Sequence, residues 1–214
     1  MKNNNLPQSP FFIFMGFVGD VFLLNLCWLI GCLPIVTIGA STSAAFSVAG
    51  KMAAASKDDE LDYRVIHDYL TAFRRDWAIA TRVWLVLALS ALVIAADYQI
   101  GTANSGSLGG ALIALSAILG LVWVCAFGGA FALLGRFTYS KVIPLLKDGV
   151  LLCTANIKAA LLWLVLVLAL PLLRVFVEPL YYYLLPPCLL ILGGAAITAF
   201  AYALRPAFAK IEKR

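Results

Sequence analysis

The chain has 214 residues, of which 63% are hydrophobic and 13% are charged, and its net charge at pH 7 is +5. Soluble globular domains average about 45–50% apolar and about 25% charged residues. The composition therefore excludes a soluble domain and predicts an all-α, polytopic transmembrane bundle with residues 1–214 in a single membrane domain.

The first two predicted spans, residues 17–33 and 39–52, form a hairpin that breaks at Pro34. An unpaired carboxylate or amide costs several kcal/mol in hydrocarbon, so Asp20 and Asn25 are expected to face other helices. The Gly, Ser, Thr and Ala residues of the second segment allow close helix packing. Both segments are close to the shortest length that crosses a bilayer, about 17 residues, so a re-entrant hairpin is the alternative.

Residues 61–77 are predicted to form an amphipathic helix on the cytoplasmic side, at the membrane surface or against neighbouring spans. Apolar side chains recur at every fourth position, and the charged residues, Asp76 among them, lie off that stripe. The stripe consists of Leu61, Val65, Tyr69, Phe73 and Trp77.

Four further spans complete the prediction of about six. They cover residues 78–100, 109–134, 157–173 and 188–204. The connections between them are an uncharged turn at 101–108, a short helix at 142–155 and an outer connection rich in aromatic residues at 176–187.

The positions of Lys and Arg predict the orientation. With six spans and both termini in the cytoplasm, every one of these 16 residues except Arg174 belongs to the inner side, in agreement with the positive-inside rule. If residues 17–52 crossed only once, five spans would result and only the N-terminus would change side. The lipid bilayer is thus the expected partner, and nucleic acid is not, because the basic residues are spread over loops.

No pattern for catalysis or metal binding is present in the sequence. There is one histidine, His67, and there is no CxxC pair, so a zinc or haem site is not expected. The five cysteines are predicted to be small apolar side chains, and a Cys27–Cys32 bridge suits helical spacing poorly. Metalloprotease, serine hydrolase, phosphate-loop and EF-hand motifs are absent from the sequence, which predicts a protein that is not an enzyme and needs no cofactor.

Eight residues are candidates for a structural or functional role. Asp20 is either an ion or proton site or an acid at a helix end, and Asn25 more often bridges helices than binds a substrate. Pro34, Thr37 and Gly39 are expected to shape the turn, with Thr37 as a cap of the next helix. The others are Asp97, near the outer end of the third span, and Phe73 and Arg74, in the cytoplasmic helix.

Two stretches of the sequence resemble the YesL family of small bacterial integral membrane proteins, a family defined as a domain of unknown function. The first stretch contains Gly19-Asp20, Leu24-Asn25-Leu26, Trp28-Leu29, Leu33-Pro34, Thr37-Ile38-Gly39 and Ala44-Ala45, and the second is YLTAFRRDW, Tyr69 to Trp77. The resemblance implies a multi-pass protein of the bacterial cytoplasmic membrane that is linked to carbohydrate uptake and sugar ABC importers.

Two functional hypotheses follow. The leading one is a non-enzymatic accessory or regulatory component of bacterial carbohydrate uptake, whose cytoplasmic helices contact a sugar permease or another membrane partner. The alternative is a small transporter or channel that acts on its own as a homo-oligomer. A membrane enzyme that acts on lipid or glycan would need a catalytic cluster of acids or histidines facing one membrane side, and we do not expect such a site from this sequence.

Overall fold

A computed structural model describes residues 10–54, 63–104, 106–176 and 178–211, with side chains for all of these except residues 10, 13 and 170–191. The regular structure of these residues is entirely helical, which confirms the all-α prediction. The helices are α1 (Pro10–Cys32), α2 (Ile38–Ala54), α3 (Val65–Ala103), α4 (Ser107–Leu134), α5 (Val142–Ala155), α6 (Ile157–Phe176) and α7 (Glu178–Ile211), with a 3₁₀ turn at Ile35–Thr37 between α1 and α2.

Several of these helices have the length and composition of membrane spans. Within the described residues, three segments are long and apolar enough to cross a bilayer: Phe14–Cys32, Val65–Ala103 and Ser107–Leu134. A fourth crossing results if Val142–Ala155 and Ile157–Ala169, which meet at an angle of 104°, are taken as one broken span. These helices are compatible with an integral membrane protein.

Helix α2 lies at the centre of the bundle and contacts α1, α3, α4 and α7. Of its 17 residues, 13 are buried. Small side chains explain this position, because they let surrounding backbones approach from several sides. At Gly39 the approach is so close that a Cβ atom would collide with the carbonyl oxygen of Ala80 in α3.

Helix α3 is one continuous helix of 39 residues, so the amphipathic helix predicted at 61–77 and the span predicted at 78–100 are not two elements but parts of one helix. The segment contains no proline, and its first glycine is Gly101, so no local signal interrupts it. Its predicted start at residues 61 and 62 lies outside the described residues.

The buried face of α3 also differs from the predicted stripe. Val65 and Tyr69 are buried as expected, but Phe73 is half-buried and Trp77 is 44% exposed. The buried face continues instead through Ala72 and Asp76, at 4% and 2% exposure, to the buried residues Ile79, Ala80, Val83 and Leu87. The prediction that Asp76 lies away from the packed face was therefore wrong.

The predicted helix at 142–155 is confirmed with the same bounds as α5. It packs against α4, and the contact is tightest at Gly129 and Gly149, where a Cβ on Gly129 would collide with the Gly149 carbonyl oxygen. Asn156 ends α5, because its side-chain Nδ2 donates a hydrogen bond to the carbonyl oxygen of Leu152 at 2.9 Å.

Two predicted connections differ from the structure. The connection at 176–187 was predicted wrongly: α6 extends to Phe176 and α7 already begins at Glu178. Pro179 is compatible with this start, because proline is tolerated in the first turn of a helix. The turn at 101–108 is shorter than predicted, since α3 ends at Ala103 and α4 begins at Ser107. Gly106 makes this tight turn with a φ of 118°, which favours glycine.

Candidate functional site

A buried carboxylate joins α2, α3 and α4. The Asp76 side chain accepts a hydrogen bond from Ser43 Oγ of α2 at 2.9 Å. Its neighbour Arg75 donates two more, from Nε to Oδ1 at 2.8 Å and from Nη2 to Oδ2 at 2.7 Å. Nη2 of Arg75 also lies 3.4 Å from the Leu134 carbonyl oxygen at the end of α4. These contacts satisfy a charge that could not remain buried alone.

A second polar contact lies where α1, α2 and α3 meet. Ser41 Oγ donates to the Trp28 carbonyl oxygen at 2.8 Å and lies 2.8 Å from the Tyr69 hydroxyl. Because the single hydroxyl hydrogen of Ser41 is used on Trp28, Tyr69 must be the donor to Ser41. Trp28 Nε1 in turn donates to Thr42 Oγ1 at 3.2 Å. The Ser and Thr residues of α2 therefore hold both flanking helices.

Replacing Tyr69 by phenylalanine is expected to lower the free energy of unfolding by about 1 kcal/mol, the usual net value of one neutral hydrogen bond. The loss stays small because Ser41 keeps its bond to the Trp28 carbonyl. Thermal unfolding in detergent micelles measures the effect. Tyr98→Phe, at a side chain that is 52% exposed, is the control, and equal losses in the two variants would contradict the assignment.

Asn25 joins α1 to α7, as expected for an amide within the bundle. It is fully buried, and its Oδ1 accepts a hydrogen bond from the backbone N–H of Gly194 at 2.6 Å. The helices touch at this point, because a Cβ on Gly194 would lie 2.7 Å from the Cβ of Asn25. The contact bridges two helices, which is the structural role predicted for this residue.

Asp20 is half-buried in α1 and accepts a hydrogen bond from the Tyr63 hydroxyl at 2.8 Å. Burial, together with the hydrogen bond to Asp20 and its negative charge, raises the pKa of Tyr63 well above its usual range. Tyr63 therefore remains protonated at neutral pH and keeps its proton available for the carboxylate. This contact ties the residues before α3 to α1.

Pro34, Thr37 and Gly39 lie in and next to the turn between α1 and α2. Pro34 is exposed and precedes the 3₁₀ turn, with φ −79° and ψ 123°. Thr37 was predicted to cap α2, but its hydroxyl faces backwards and shares its single hydrogen between two carbonyl oxygens, that of Gly31 at 2.6 Å and that of Pro34 at 2.8 Å. The hydroxyl thus bonds to the Gly31 carbonyl in the last turn of α1, where helix geometry leaves carbonyl groups without a partner in the helix.

The remaining candidate residues lie apart from these contacts. Phe73 stacks on Tyr69 with ring centroids 6.0 Å apart and meets Trp77 edge-on at 5.3 Å. Arg74 is exposed on α3, and Asp97 is half-buried near the other end of the same helix. The eight predicted residues therefore do not converge on one site.

The sequence interpretation did not single out, as polar partners of one another, the residues whose side chains bond at the centre of the bundle. They are Ser41, Ser43, Tyr69, Arg75 and Asp76. One signal was available, because Tyr69 and Asp76 are seven residues apart and so share one helix face. The partners on α2 carried no signal, since Ser43 lies 33 residues away in the sequence.

A cavity of about 250 Å³ opens beside this network at the ends of α2 and α4. We call it the basic cavity, because the charged side chains that line it among the described residues are Lys51, Arg75 and Arg136. The other lining residues are Phe46, Ser47, Gly50, Ala54, Ala132, Gly135, Ala201 and Phe208. The cavity is the place in the described structure where several cations face a common space next to the buried network.

The described cysteines and acids offer no metal centre. Cys27, Cys32, Cys125 and Cys153 are all free thiols, so the Cys27–Cys32 bridge is not formed. Only Cys153 is buried, whereas the other three are half-buried. Among the described residues, no group of three or more His, Cys, Asp or Glu side chains could hold a metal ion.

One comparison with known proteins gives a match. Residues 21–98 are similar to a family described as a protein of unknown function, DUF624. No curated protein and no solved structure matches the chain. The matched stretch runs from α1 through α2 into α3, and it contains Asn25, Ser41, Ser43, Tyr69 and Asp76. The family similarity is therefore concentrated in the helices that carry the buried polar contacts.

Proposed function

We propose that this chain is a non-enzymatic, multi-pass protein of the bacterial cytoplasmic membrane that assists or regulates carbohydrate uptake. Its partner in this proposal is the membrane-embedded permease of a sugar importer. The observation that carries the proposal is an exposed apolar face on residues 65–77 of α3, which we call the α3 tip. The link to carbohydrates is supported by the sequence resemblance given above.

The α3 tip has two apolar faces. One contains Val65 and Tyr69, which are 5% and 4% exposed and pack within the chain. The other contains Ile66, Leu70 and Trp77, which are 51%, 47% and 44% exposed. Spacings of four and seven residues put these three side chains on one side of the helix. The second face is therefore available to another molecule.

The length of α3 favours a protein rather than lipid as that molecule. A helix of 39 residues is about 58 Å long, whereas a bilayer with its headgroups is about 40–45 Å thick. Because the tip continues the apolar part of the same helix, it cannot lie flat on the membrane while that part crosses. The positive-inside rule assigns the end with Arg64, Arg74 and Arg75 to the cytoplasm.

The tip is also held in a fixed position, which lowers the entropic cost of binding a partner. Lys51 at the end of α2 pairs with Asp68 at 2.8 Å. Further along α3, Tyr69 and Asp76 form hydrogen bonds with Ser41 and Ser43 of α2. A preorganised surface of this kind suits docking.

The alternative function is a small transporter or channel that acts alone as an oligomer. Such a protein needs polar groups that exchange their partners with an ion or solute. The two candidates for that role are engaged within the chain, Asn25 with Gly194 and Asp20 with Tyr63. This supports the accessory function over transport by this chain alone.

Photo-crosslinking in intact bacteria tests the proposal. A photoreactive residue at position 70 is expected to capture the permease of a carbohydrate importer, because Leu70 lies within the open face. The control variant carries the photoreactive residue at position 92 instead of position 70, because Leu92 is 67% exposed on the apolar part of the same helix. Ile66→Ser combined with Leu70→Ser is expected to reduce co-purification of that permease at least about fivefold.

Two results would contradict the proposal. One is capture of lipid alone, or of this chain alone, from position 70. The other is solute uptake into liposomes that contain this protein as the sole protein, with loss of that uptake in Asp20→Asn or Asn25→Ala. The second result would establish the transporter alternative.

A further inference from the structure

A second cavity, of about 790 Å³, opens between three parts of the chain. We call it the α5 cavity, because α5 and the residue that ends it contribute Asp148, Leu151, Leu152, Ala155 and Asn156 to its wall. The segment after α4 and the end of α7 form the other sides. Binding sites for small molecules measure about 300–1,000 Å³, so this cavity has the size of such a site.

A carboxylate on α5 is held in place by a tyrosine from the segment after α4. The hydroxyl of Tyr139 donates to Asp148 Oδ2 at 3.2 Å. Burial and the negative charge of Asp148 raise the pKa of Tyr139, so the hydroxyl keeps its proton for this bond. Among the described residues, Oδ1 of Asp148 has no partner, and the one buried polar side-chain atom without a partner is Thr81 Oγ1. Oδ1 of Asp148 is therefore accessible as a hydrogen-bond acceptor.

Two further polar groups line the same cavity. Asn156 uses one of its two amide hydrogens on the Leu152 carbonyl oxygen, which leaves a second N–H and the amide oxygen. Lys210 of α7 is exposed and supplies N–H donors. Within the part of the chain that the structure describes, neither Asp148 nor Lys210 forms an ion pair. The wall thus offers acceptors, donors and an amide that acts as both.

Apolar side chains lie beside these polar groups. Leu133, Phe137 and Leu151 line the cavity together with the ring of Tyr139. The face of an aromatic ring carries partial negative charge and attracts the polarised C–H groups of a ligand. A matching ligand is therefore small and has both hydroxyl groups and a C–H face.

From this arrangement we infer that the α5 cavity binds a monosaccharide in its ring form. Each sugar hydroxyl both donates and accepts, as the mixed set of Asp148, Asn156 and Lys210 requires. A phosphate site uses several cations and a metal site several carboxylates, whereas the charged side chains lining this cavity among the described residues are one of each sign. The ligand is uncharged, so the inference depends neither on a net charge nor on the proposed partner at the α3 tip.

Two substitutions at the wall separate the cavity from the rest of the surface. Asp148→Ala removes the carboxylate acceptor, and Ala155→Leu fills space in the cavity at an exposed position near the end of α5. Their matched controls are Lys147→Ala and Thr154→Leu. Each control changes the preceding residue of α5, which is exposed and does not line the cavity.

The test uses the purified full chain in lauryldimethylamine oxide, a detergent without a sugar headgroup. Saturation-transfer NMR measures binding of glucose, galactose and xylose, and glucose 6-phosphate and glycine betaine are offered as a phosphate ester and a zwitterion. At least one of the three sugars is expected to bind. Asp148→Ala and Ala155→Leu are each expected to weaken that binding at least about tenfold, because a hydrogen bond to a charged group and the room for the ring are lost.

Each outcome decides the question. Sugar binding that is weakened in Asp148→Ala and Ala155→Leu and kept in Lys147→Ala and Thr154→Leu supports the inference. Failure of all three sugars to bind, binding of the phosphate ester or the zwitterion alone, or an equal loss in the control variants overturns it. If Asp148→Ala fails to fold, Ala155→Leu and its control give the same decision. Because no partner is present, failure here is distinct from failure to capture a permease at position 70.

Discussion

Replacing Arg75 by alanine is expected to lower the free energy of unfolding by about 3–5 kcal/mol, because it leaves a buried carboxylate without its cation. Asp76 is 2% exposed and keeps only the hydrogen bond from Ser43. Replacing Asp76 by alanine is expected to cost less, about 1–3 kcal/mol, because the side chain of Arg75 is 46% exposed and can turn to solvent. Denaturation with SDS in mixed micelles measures both values.

Two further variants make this prediction specific. The double variant Arg75→Ala with Asp76→Ala is expected to be more stable than Arg75→Ala alone, since no buried charge remains. Arg74→Ala removes an exposed cation from the neighbouring position and is expected to change stability by less than about 0.5 kcal/mol. Equal effects of Arg74→Ala and Arg75→Ala would show that the Arg75–Asp76 pair does not stabilise the bundle.

Adding a single methyl group at Gly39 is expected to cost about 3 kcal/mol, the upper end of the range for an overpacked core. A Cβ at this position collides with the carbonyl oxygen of Ala80 and lies 2.6 Å from the Cβ of Trp84. A flexible side chain could rotate away, whereas a backbone carbonyl moves only if α2 and α3 separate. The thermal unfolding temperature of Gly39→Ala in detergent is expected to fall accordingly.

Gly50 supplies the matched control for this substitution in the same helix. No atom lies within 4 Å of a Cβ built on Gly50, so Gly50→Ala is expected to stabilise the protein by about 0.5–1 kcal/mol through its effect on the unfolded chain. A similar decrease in the free energy of unfolding for Gly39→Ala and Gly50→Ala would mean that the close contact between α2 and α3 does not determine the effect of the added methyl group.

Local sequence signals predicted those elements whose limits are set by nearby residues. The bounds of α5 were found because Pro144 suits a first helical turn and Asn156 can bond back to the last carbonyls. The break between α1 and α2 was found because Pro34 cannot continue a helix. Helix start and stop residues of this kind act on neighbours only a few positions away, so they can be recognised from the sequence alone.

Other features depended on partners that are distant in the sequence. Arg75 and Asp76 were interpreted as charged residues that lie off the apolar stripe of the predicted helix. The structure buries Asp76 instead, since Ser43 and Arg75 satisfy its oxygens. In the same way, the charges of residues 61–77 suggested an amphipathic helix distinct from the span that follows it, although nothing in the local sequence interrupts α3 after Val65. The eight candidate residues were chosen by type, and chemical type alone does not reveal whether side chains meet.

The attachment of α3 to α2 has a mechanical consequence. Contacts at Asp68, Asp76 and Ala80 fasten the two helices at successive levels, and α3 continues without a joint to Ala103. A partner that displaces α3 at Leu70 would therefore tilt α2 and α3 together as one rigid body. Such a tilt would be transmitted from Val65 to Ala103, because α3 contains no break between these residues.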